Sequence, residues 1–480
     1  MNISIRAKLF LMMVLEFFIW GAWLPLIFTY LPSLGFSSSV PPQILKGIIP
    51  HGLWFIFSQQ SLILNAFPVA AIVGMFFSNQ YADRHFSAEK FLGFSQLISG
   101  LALLGLAMIK APPPVAELAP GDPNPNAPFA LFFTLMLIHC LLYVPTISIT
   151  NSIAFANMKD AQSEFGIVRM GGTIGWILAA WPFTFILVDW DRVRAAAPHG
   201  LISWLGTALG SGLTGAKLLE RTSWTYIVAG IASLLLAALS LVLPHTPPKK
   251  VTAGEDRFAW LESMKLLRLP FVLVLWLVTF VDAFVHNSYF NWTGTFLGSA
   301  RDAGGVGIPG NWIMPVMSVG QVAEILTMFV LGATLKRLGW RATMVCGILG
   351  HTARFAVYAF FPGDPSLIVL VQILHGICYA FFFATVYIFV DEYFPKDVRS
   401  SAQGLFNMMI LGIGVLVANS ICPYLMQHVF TQGGKIDFRG LFLVPLAASS
   451  AAAIALALFF RPPPKAQTPP LTEAKAAVAA

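Results

Sequence analysis

The chain has 480 residues, of which 57% are hydrophobic and only 11% are charged, and its formal net charge is +7. A soluble protein would carry about a quarter charged residues, so this composition excludes an ordinary soluble domain and predicts a polytopic membrane protein. The apolar stretches lack the alternation of barrel strands, so they are expected to cross the membrane as helices. The basic balance does not require a nucleic acid partner.

Twelve apolar stretches are long enough to cross a bilayer as helices, which takes about 20 residues each. In chain order they cover residues 8–31, 61–82, 88–109, 128–153, 164–188, 223–244, 269–299, 312–335, 342–361, 366–390, 401–427 and 439–460. The first stretch lacks a small-residue cleavage site and predicts a retained helix rather than a signal peptide. The expected fold class is therefore an all-α membrane protein.

A charged, proline-containing connection at residues 245–268 separates the sixth stretch from the seventh. It predicts two six-helix halves, at residues 1–244 and 269–461. The Ala- and Pro-rich tail at 462–480 is expected to be disordered and cytoplasmic.

The distribution of basic residues predicts how the chain is oriented in the membrane. Lys and Arg are concentrated in the segments that face the cytoplasm if the N-terminus is inside, so both termini are expected there. Compact basic turns at 81–84 and 336–341 occupy equivalent places in the two halves. Such a parallel repeat is a feature of the major facilitator architecture. The simpler explanation is that any cytoplasmic loop tends to be basic.

Glu324 is the most informative polar residue within a predicted helix, and Gln321 precedes it by three residues. This spacing places the amide and the carboxylate on one helix face. A charge at the bilayer centre costs about 2.5–3.5 kcal/mol on insertion scales, so it indicates a water-filled pathway or a partner. A carboxylate there can bind and release a proton, as proton relays in transporters do. A hydrogen-bonded pair between helices is the alternative.

Arg169, Thr173 and Trp176 share a face of the fifth predicted helix at i, i+4 and i+7. The three glycines between them let a ligand or a neighbouring helix approach the backbone. An arginine placed this way can donate to an anionic partner or to a substrate oxygen. A structural ion pair, or snorkelling to the membrane surface, would also account for it.

Two further pairs stand at i, i+4: Asn287 with Asn291 in the seventh helix, and His375 with Tyr379 in the tenth. Amides suit a neutral ligand rich in hydroxyls and carbonyls. A tyrosine ring can stack on a flat heterocycle, and histidine can hydrogen-bond it or titrate near neutral pH. Hydrogen bonds between helices explain all four residues without a ligand.

The remaining polar residues within predicted helices are less informative. Glu16 lies about two turns inside the first helix, where an arginine or interfacial water could pair with it. Asp282 accompanies the amides of the seventh helix, and Arg354 and His351 in the ninth are expected to be structural. No clustered metal-ligand or catalytic motif is present, so we expect neither a metal, a cofactor nor an enzyme.

Six short segments form a pattern when they are taken in order. They are 15–24 (LEFFIWGAWL), 143–146 (YVPT), 169–176 (RMGGTIGW), 321–324 (QVAE), 354–356 (RFA) and 399–404 (RSSAQG). In this order they resemble the nucleoside:proton symporter family of the major facilitator superfamily, the nucleoside permeases of bacteria, over nearly the whole chain. The resemblance implies twelve transmembrane helices in two halves, in the cytoplasmic (inner) membrane.

The resemblance also implies which residues contact the substrate. By position these are Arg169, Thr173, Trp176, Asn287, Asn291 (the nearest match for a second amide), Gln321, Glu324, His375 and Tyr379. Where the family has an aspartate implicated in proton coupling, this chain has Ala380, which cannot ionise. Three explanations stay open: Glu324 alone carries the proton, another group such as Glu16, Asp282 or His375 substitutes, or coupling is lost.

The function implied is a secondary active transporter that imports nucleosides with protons by alternating access. The alternatives are a major facilitator carrier of another small polar solute, such as a sugar or a nucleobase, and an uncoupled nucleoside facilitator. The expected partners are the nucleoside, protons and the lipid bilayer, and a monomer is a plausible assembly.

Overall fold

The computed structural model describes residues 3–74, 86–113, 115, 122–158, 161–248, 264–394 and 396–462, with the backbone alone at 3–4, 161–166 and 396–401. The predicted turn at 81–84, most of the connection at 245–268 and nearly all of the tail at 462–480 lie outside these residues. The boundaries of the two predicted halves and the state of the tail therefore stay predictions.

Residues 75–82 of the second predicted stretch lie outside the described residues, and each of the twelve predicted stretches overlaps one of twelve helical segments. They are α1 Ile3–Ser33, α2 Gln59–Val73, α3 Ala88–Ala107, α4 Phe129–Asn157, α5 Ala161–Ala180, α6 Trp224–Ser240, α7 Pro270–Gly298, α8 310–338, α9 340–360, α10 Pro365–Tyr393, α11 Ala402–Val429 and α12 Phe438–Phe459. α8 and α9 run on as Gly310–Phe360 and are divided at Gly339, where φ is +72°. That angle favours glycine because a Cβ would clash there.

By length and apolar composition, nine helices of the described residues can cross a membrane, or ten if the bent pair His51–Phe57 and Gln59–Val73 forms one crossing. That count takes Gly310–Phe360 as one helix and omits α5. The exact number of twelve crossings stays a prediction. One boundary differs clearly from the expected stretch at 164–188, because α5 ends at Ala180 and a turn at Trp181 and Pro182 follows. Proline has no N–H to continue the helix.

Side-chain caps mark where several of the helices begin. Asp364 accepts hydrogen bonds from the backbone N–H groups of Ser366 and Leu367 at 3.0 and 3.1 Å, with proline at the first position of α10. Asp437 accepts from the N–H of Gly440 in the same way at the start of α12. The free N–H groups of a helix start need such acceptors, and a first-turn proline loses none of them.

Within the described residues, α10 and α11 contain complete π-helical segments. In α10 the segment is Tyr379–Ala384, and in α11 there are two, Met408–Ile413 and Leu425–Val429. Such segments are rare and occur frequently at functional sites. Ala380, at the position where the resemblance implies an aspartate, is fully buried in the first of them.

Short elements cover the end of the bundle opposite the N-terminus, where α1 ends and α2 begins. We name this the distal end. Its short helices are Gln43–Lys46, His51–Phe57, Phe183–Ile186, Trp190–Ala196, Leu201–Gly210, Gly215–Arg221 and Arg301–Ala303, and Lys265–Arg268 precedes α7 at the other end. An antiparallel pair, Thr431–Gln432 with Lys435–Ile436, joins α11 to α12.

Asp189 caps one of these short helices outside the membrane-spanning segments. Its carboxylate accepts from the backbone N–H of Arg192 and from the Lys217 ammonium, both at 3.2 Å. These two hydrogen bonds hold the pKa of Asp189 below its usual value.

Most contacts between helices fall within α1–α6 or within α7–α12. α1 packs on α5 and α6, and α3 packs on α4 and α6, whereas α7 packs on α11 and α12, and α10 and α12 pack on the α8–α9 pair. Among the described residues, the most extensive contacts between the two sets join α1 with α7, α2 with α11, and α5 with α8. Residues on these three pairs therefore decide what lies between the halves.

Candidate functional site

Close packing of α5 against α1 positions Arg169. A Cβ added at Gly175 would overlap the backbone of Val14, and one added at Gly172 would lie 2.7 Å from the Phe17 ring. The glycines therefore allow a helix contact that no larger residue would permit. In this contact the Arg169 guanidinium lies 4.3 Å from the centre of the Phe17 ring, which favours its charge.

Arg169 faces the opposite half across the contact of α5 with α8. Its charge acts on the Glu324 carboxylate of α8 and on the Tyr379 hydroxyl of α10. Arg169, Thr173, Glu324 and Tyr379 are all partly exposed inside the bundle. An arginine on α5, a carboxylate on α8 and a phenol on α10 are thus close enough for their charges to interact.

The position of Glu324 depends on a close contact between α8 and α10. A Cβ added at Gly320 would lie 2.7 Å from the Cβ of His375. One added at Gly376 would overlap the backbone nitrogen of Glu324. Two glycines on opposite helices therefore bring His375 and Glu324 within one contact region.

An aromatic row crosses from one half to the other beside these groups. Trp176 meets Trp20 edge to face with ring centres 5.2 Å apart, and it meets Phe290 of α7 at 6.2 Å. Phe290 in turn contacts the rings of His286 and His375 at 5.4 and 5.7 Å. Such rings can flank a flat heterocycle.

The predicted amides differ in their surroundings: one is partly exposed, and another is buried and joins two helices. Asn287 is partly exposed, and its amide donates to the Ala283 carbonyl of its own helix. Asn291 is buried and donates to Asn419 of α11 at 3.2 Å. The side-chain oxygens of Asn291 and Gln321 have no hydrogen-bond partner among the described residues. A buried amide oxygen in that state can accept a hydrogen bond from a ligand or water.

Glu16 lies apart from Arg169, Glu324 and Tyr379, inside the first six helices. Thr146 of α4 and Gln96 of α3 donate to its two carboxylate oxygens at 2.8 and 3.1 Å. Gln96 also accepts from Ser233 of α6 at 2.6 Å, and Tyr143 donates to the Glu16 backbone carbonyl. Sequence reasoning missed these partners, since no spacing along the chain relates residues on four different helices.

Known proteins are similar to this chain over nearly its whole length. The family model described as nucleoside H+ symporter matches residues 1–209 and 189–465. The chain belongs to the nucleoside H+ symporter family. It is 26% identical to the xanthosine permease of Escherichia coli K12 and 24% identical to the nucleoside permease NupG of the same organism. Each alignment covers 96% of both proteins.

The crystal structure of the nucleoside transporter NupG superposes on 96% of this family member with a TM-score of 0.72 and 21% sequence identity. The match covers 100% of that chain. The expected fold class, a membrane-embedded all-α protein with the major facilitator fold, is therefore confirmed. As a member of a transporter family, the protein is a multi-pass membrane transporter.

The family member also contains a buried polar cluster in its last six helices. The Arg354 guanidinium donates to His351 and to His375, each at 2.9 Å, and lies 4.1 Å from the centre of the Tyr289 ring. Tyr289 donates to Gln372 at 3.0 Å, and Gln372 donates to Tyr358. His375 therefore touches both this cluster and the α8–α10 contact, which sequence spacing did not indicate.

Proposed function

We propose that the protein imports nucleosides with protons across the cytoplasmic (inner) membrane of a bacterium, with both termini in the cytoplasm. Family membership supports the substrate class and the coupling ion. The distribution of Lys and Arg supports the orientation, and it makes the distal end the external one.

The observation that carries the proposed site is the convergence of Arg169, Glu324 and Tyr379 from three helices across the interface between the halves. Between them, the ionised Glu324 would accept a hydrogen bond from a ribose hydroxyl, and Arg169 would donate to an oxygen of the base or sugar. Trp176 and Tyr379 would flank the flat ring, since aromatic rings stack on heterocycles.

The amides and His375 complete the proposed site. Gln321 has a buried side-chain oxygen with no partner among the described residues, and this oxygen can accept from a base N–H or a hydroxyl. Asn287 adds a partly exposed amide on α7. Thr173 lies one helical turn from Arg169. We assign Asn291 to the same site, and its amide also joins α7 to α11.

Hydrogen bonds between the halves at the distal end support alternating access. Ser38 and Gln60 donate to Gln427 at 2.8 and 3.3 Å, Gln427 donates back to Gln60 at 3.0 Å, and Asn65 donates to Ser420 at 2.9 Å. In the proposed orientation they hold the external side closed. Rocking of residues 1–244 against residues 269–461 would break them to admit substrate.

Uptake of labelled uridine or adenosine into proteoliposomes under an inward proton gradient tests the proposal. Saturable uptake that unlabelled nucleosides abolish and a sugar does not is expected. Absence of uptake for every nucleoside would refute the substrate class. Uptake that a protonophore leaves unchanged would refute symport and favour the uncoupled facilitator instead.

Glu324→Gln tests whether the ionised carboxylate contributes to nucleoside binding. Glutamine keeps the size and one acceptor oxygen but cannot ionise. The exposed Glu220→Gln at the distal end provides a control of equal chemistry. We expect weaker nucleoside binding in Glu324→Gln and unchanged binding in the control. Equal affinities would remove Glu324 from the site.

A further inference from the structure

We propose that the coupling proton binds Asp282, in a buried site that Asp282 forms with His351 and Arg354, and that His375 links this site to the substrate. The proposal rests on the proposed function, because it assigns the ion of that transport cycle. It assigns to Asp282 the proton-binding role that Ala380 cannot perform.

The first step is the state of Asp282 itself. The residue is fully buried on α7, and neither carboxylate oxygen has a hydrogen-bond partner among the described residues. The Nε2 atom of His351 on α9 lies 3.7 Å from the Oδ2 atom of Asp282. That nitrogen also lacks a hydrogen-bond partner in the described part of the chain. A buried acid kept without hydrogen bonds is expensive for folding and is typical of a functional group.

The second step is that Arg354 fixes which nitrogen of each histidine carries the proton. A guanidinium only donates hydrogen bonds, so the Nδ1 atoms of His351 and His375 that it contacts must be unprotonated acceptors. Each neutral imidazole then carries its hydrogen on Nε2. The N–H of His351 therefore points to Asp282, and neither histidine can take a second proton on Nδ1 without facing the arginine.

The third step is the charge balance around Asp282. The titratable or charged groups nearby are His286 on its own helix, His351 and Arg354 on α9, and His375 and Cys378 on α10. Among the described residues no group of three or more His, Cys, Asp or Glu could hold a metal ion. With neutral histidines, Asp282 is the one anion that balances Arg354 in this set.

Proton binding then forms one O–H bond on Asp282 and breaks no bond within the protein. The summed charge of Asp282 and Arg354 changes from zero to +1, and the histidines stay neutral. A buried positive charge without its partner favours any negative group that can approach it. His375 holds Arg354 on one side and packs against Gly320 of α8 on the other. A protonated Asp282 would thus favour the ionised Glu324 that binds the nucleoside.

Asp282→Asn is the direct test, in proteoliposomes that first show wild-type nucleoside uptake. Asparagine mimics the protonated acid, so nucleoside exchange between equal pools should persist while gradient-driven accumulation and nucleoside-induced proton uptake are lost. Glu16→Gln, which removes the buried acid of the first half, should keep accumulation. Accumulation retained by Asp282→Asn, or lost in Glu16→Gln alone, would overturn the assignment. Lack of uptake by the wild type would instead refute the proposed function.

His351→Phe provides a second test of the proposal, which applies even if Asp282→Asn does not fold. Loss of the N–H that faces Asp282 disfavours the ionised acid, so the pH midpoint of accumulation should move up by about one unit. Tyr358→Phe, which removes a polar group of the same cluster farther from Asp282, should leave the midpoint in place. A midpoint unchanged in His351→Phe would overturn the proposal, because a merely structural histidine would alter stability and not the pH profile.

Discussion

Gly376→Ala is expected to impair nucleoside binding although the residue touches no substrate. The added methyl carbon would lie 2.7 Å from the Cα of Glu324 and still closer to its backbone nitrogen. Carbon atoms in contact stand about 3.5–4.0 Å apart, so α8 must withdraw from α10 by about 1 Å. Overpacking of this kind costs about 1–3 kcal/mol. If that strain is relieved by displacing Glu324, binding weakens about 5- to 150-fold.

Gly332→Ala is the matched control, because it adds the same methyl group to α8 at a position with no atom within 4 Å. We expect Gly332→Ala to keep the wild-type affinity and to be slightly more stable, since alanine restricts the unfolded chain. Nucleoside affinity and initial uptake rate in proteoliposomes provide the comparison, and the unfolding temperature in detergent shows that both variants fold. Wild-type affinity in a folded Gly376→Ala would refute the argument that the α8–α10 contact positions Glu324.

Three further predictions address other parts of the molecule. Arg169→Lys keeps the charge but loses the planar guanidinium, so nucleoside affinity should fall on the order of tenfold in an equilibrium binding assay; an unchanged affinity would contradict the assigned role. Gln427→Ala removes three hydrogen bonds to the other half, worth about 0.5–1.5 kcal/mol each. It should open the distal end, seen as faster hydrogen exchange there, and equal exchange rates would argue against a closed gate. The folded-state pKa of Asp189 lies below its usual value, so its cap stabilises helix Trp190–Ala196 above the unfolded-state pKa and is lost as pH falls through the folded value. Acid should therefore lower the protection of that helix, measured as exchange relative to the intrinsic rate at each pH, in the wild type but not in Asp189→Asn.

Helix positions and the polar faces were predictable because both depend on local periodicity. Long apolar runs must form helices in lipid, so within the described residues each predicted stretch coincides with a helix, apart from the end of the fifth. The i, i+4 and i+7 spacing correctly placed Arg169 and Trp176 on one face of α5. The glycines of that helix correctly indicated a close approach, and the structure identifies α1 as the neighbour.

Contacts between distant segments were not predictable, because no spacing along the chain encodes which helix faces meet. Glu16 and His375 were both candidates for the proton. Tertiary packing places Glu16 among donors of α3 and α4, and it places His375 against Arg354. Nothing in the single sequence distinguishes these two environments.

The sequence by itself thus determined a membrane-spanning helical protein and the family to which it belongs. It also determined which polar residues lie in apolar helices, where their energetic cost makes them candidates for function. Those conclusions follow from hydropathy, helical periodicity and motif order, which need no knowledge of the third dimension. Only the tertiary structure decided which charges are neighbours. Arg169 of α5 and Glu324 of α8 are close enough for their charges to interact, and Asp282 lies 3.7 Å from His351, because helix packing brings these distant segments together.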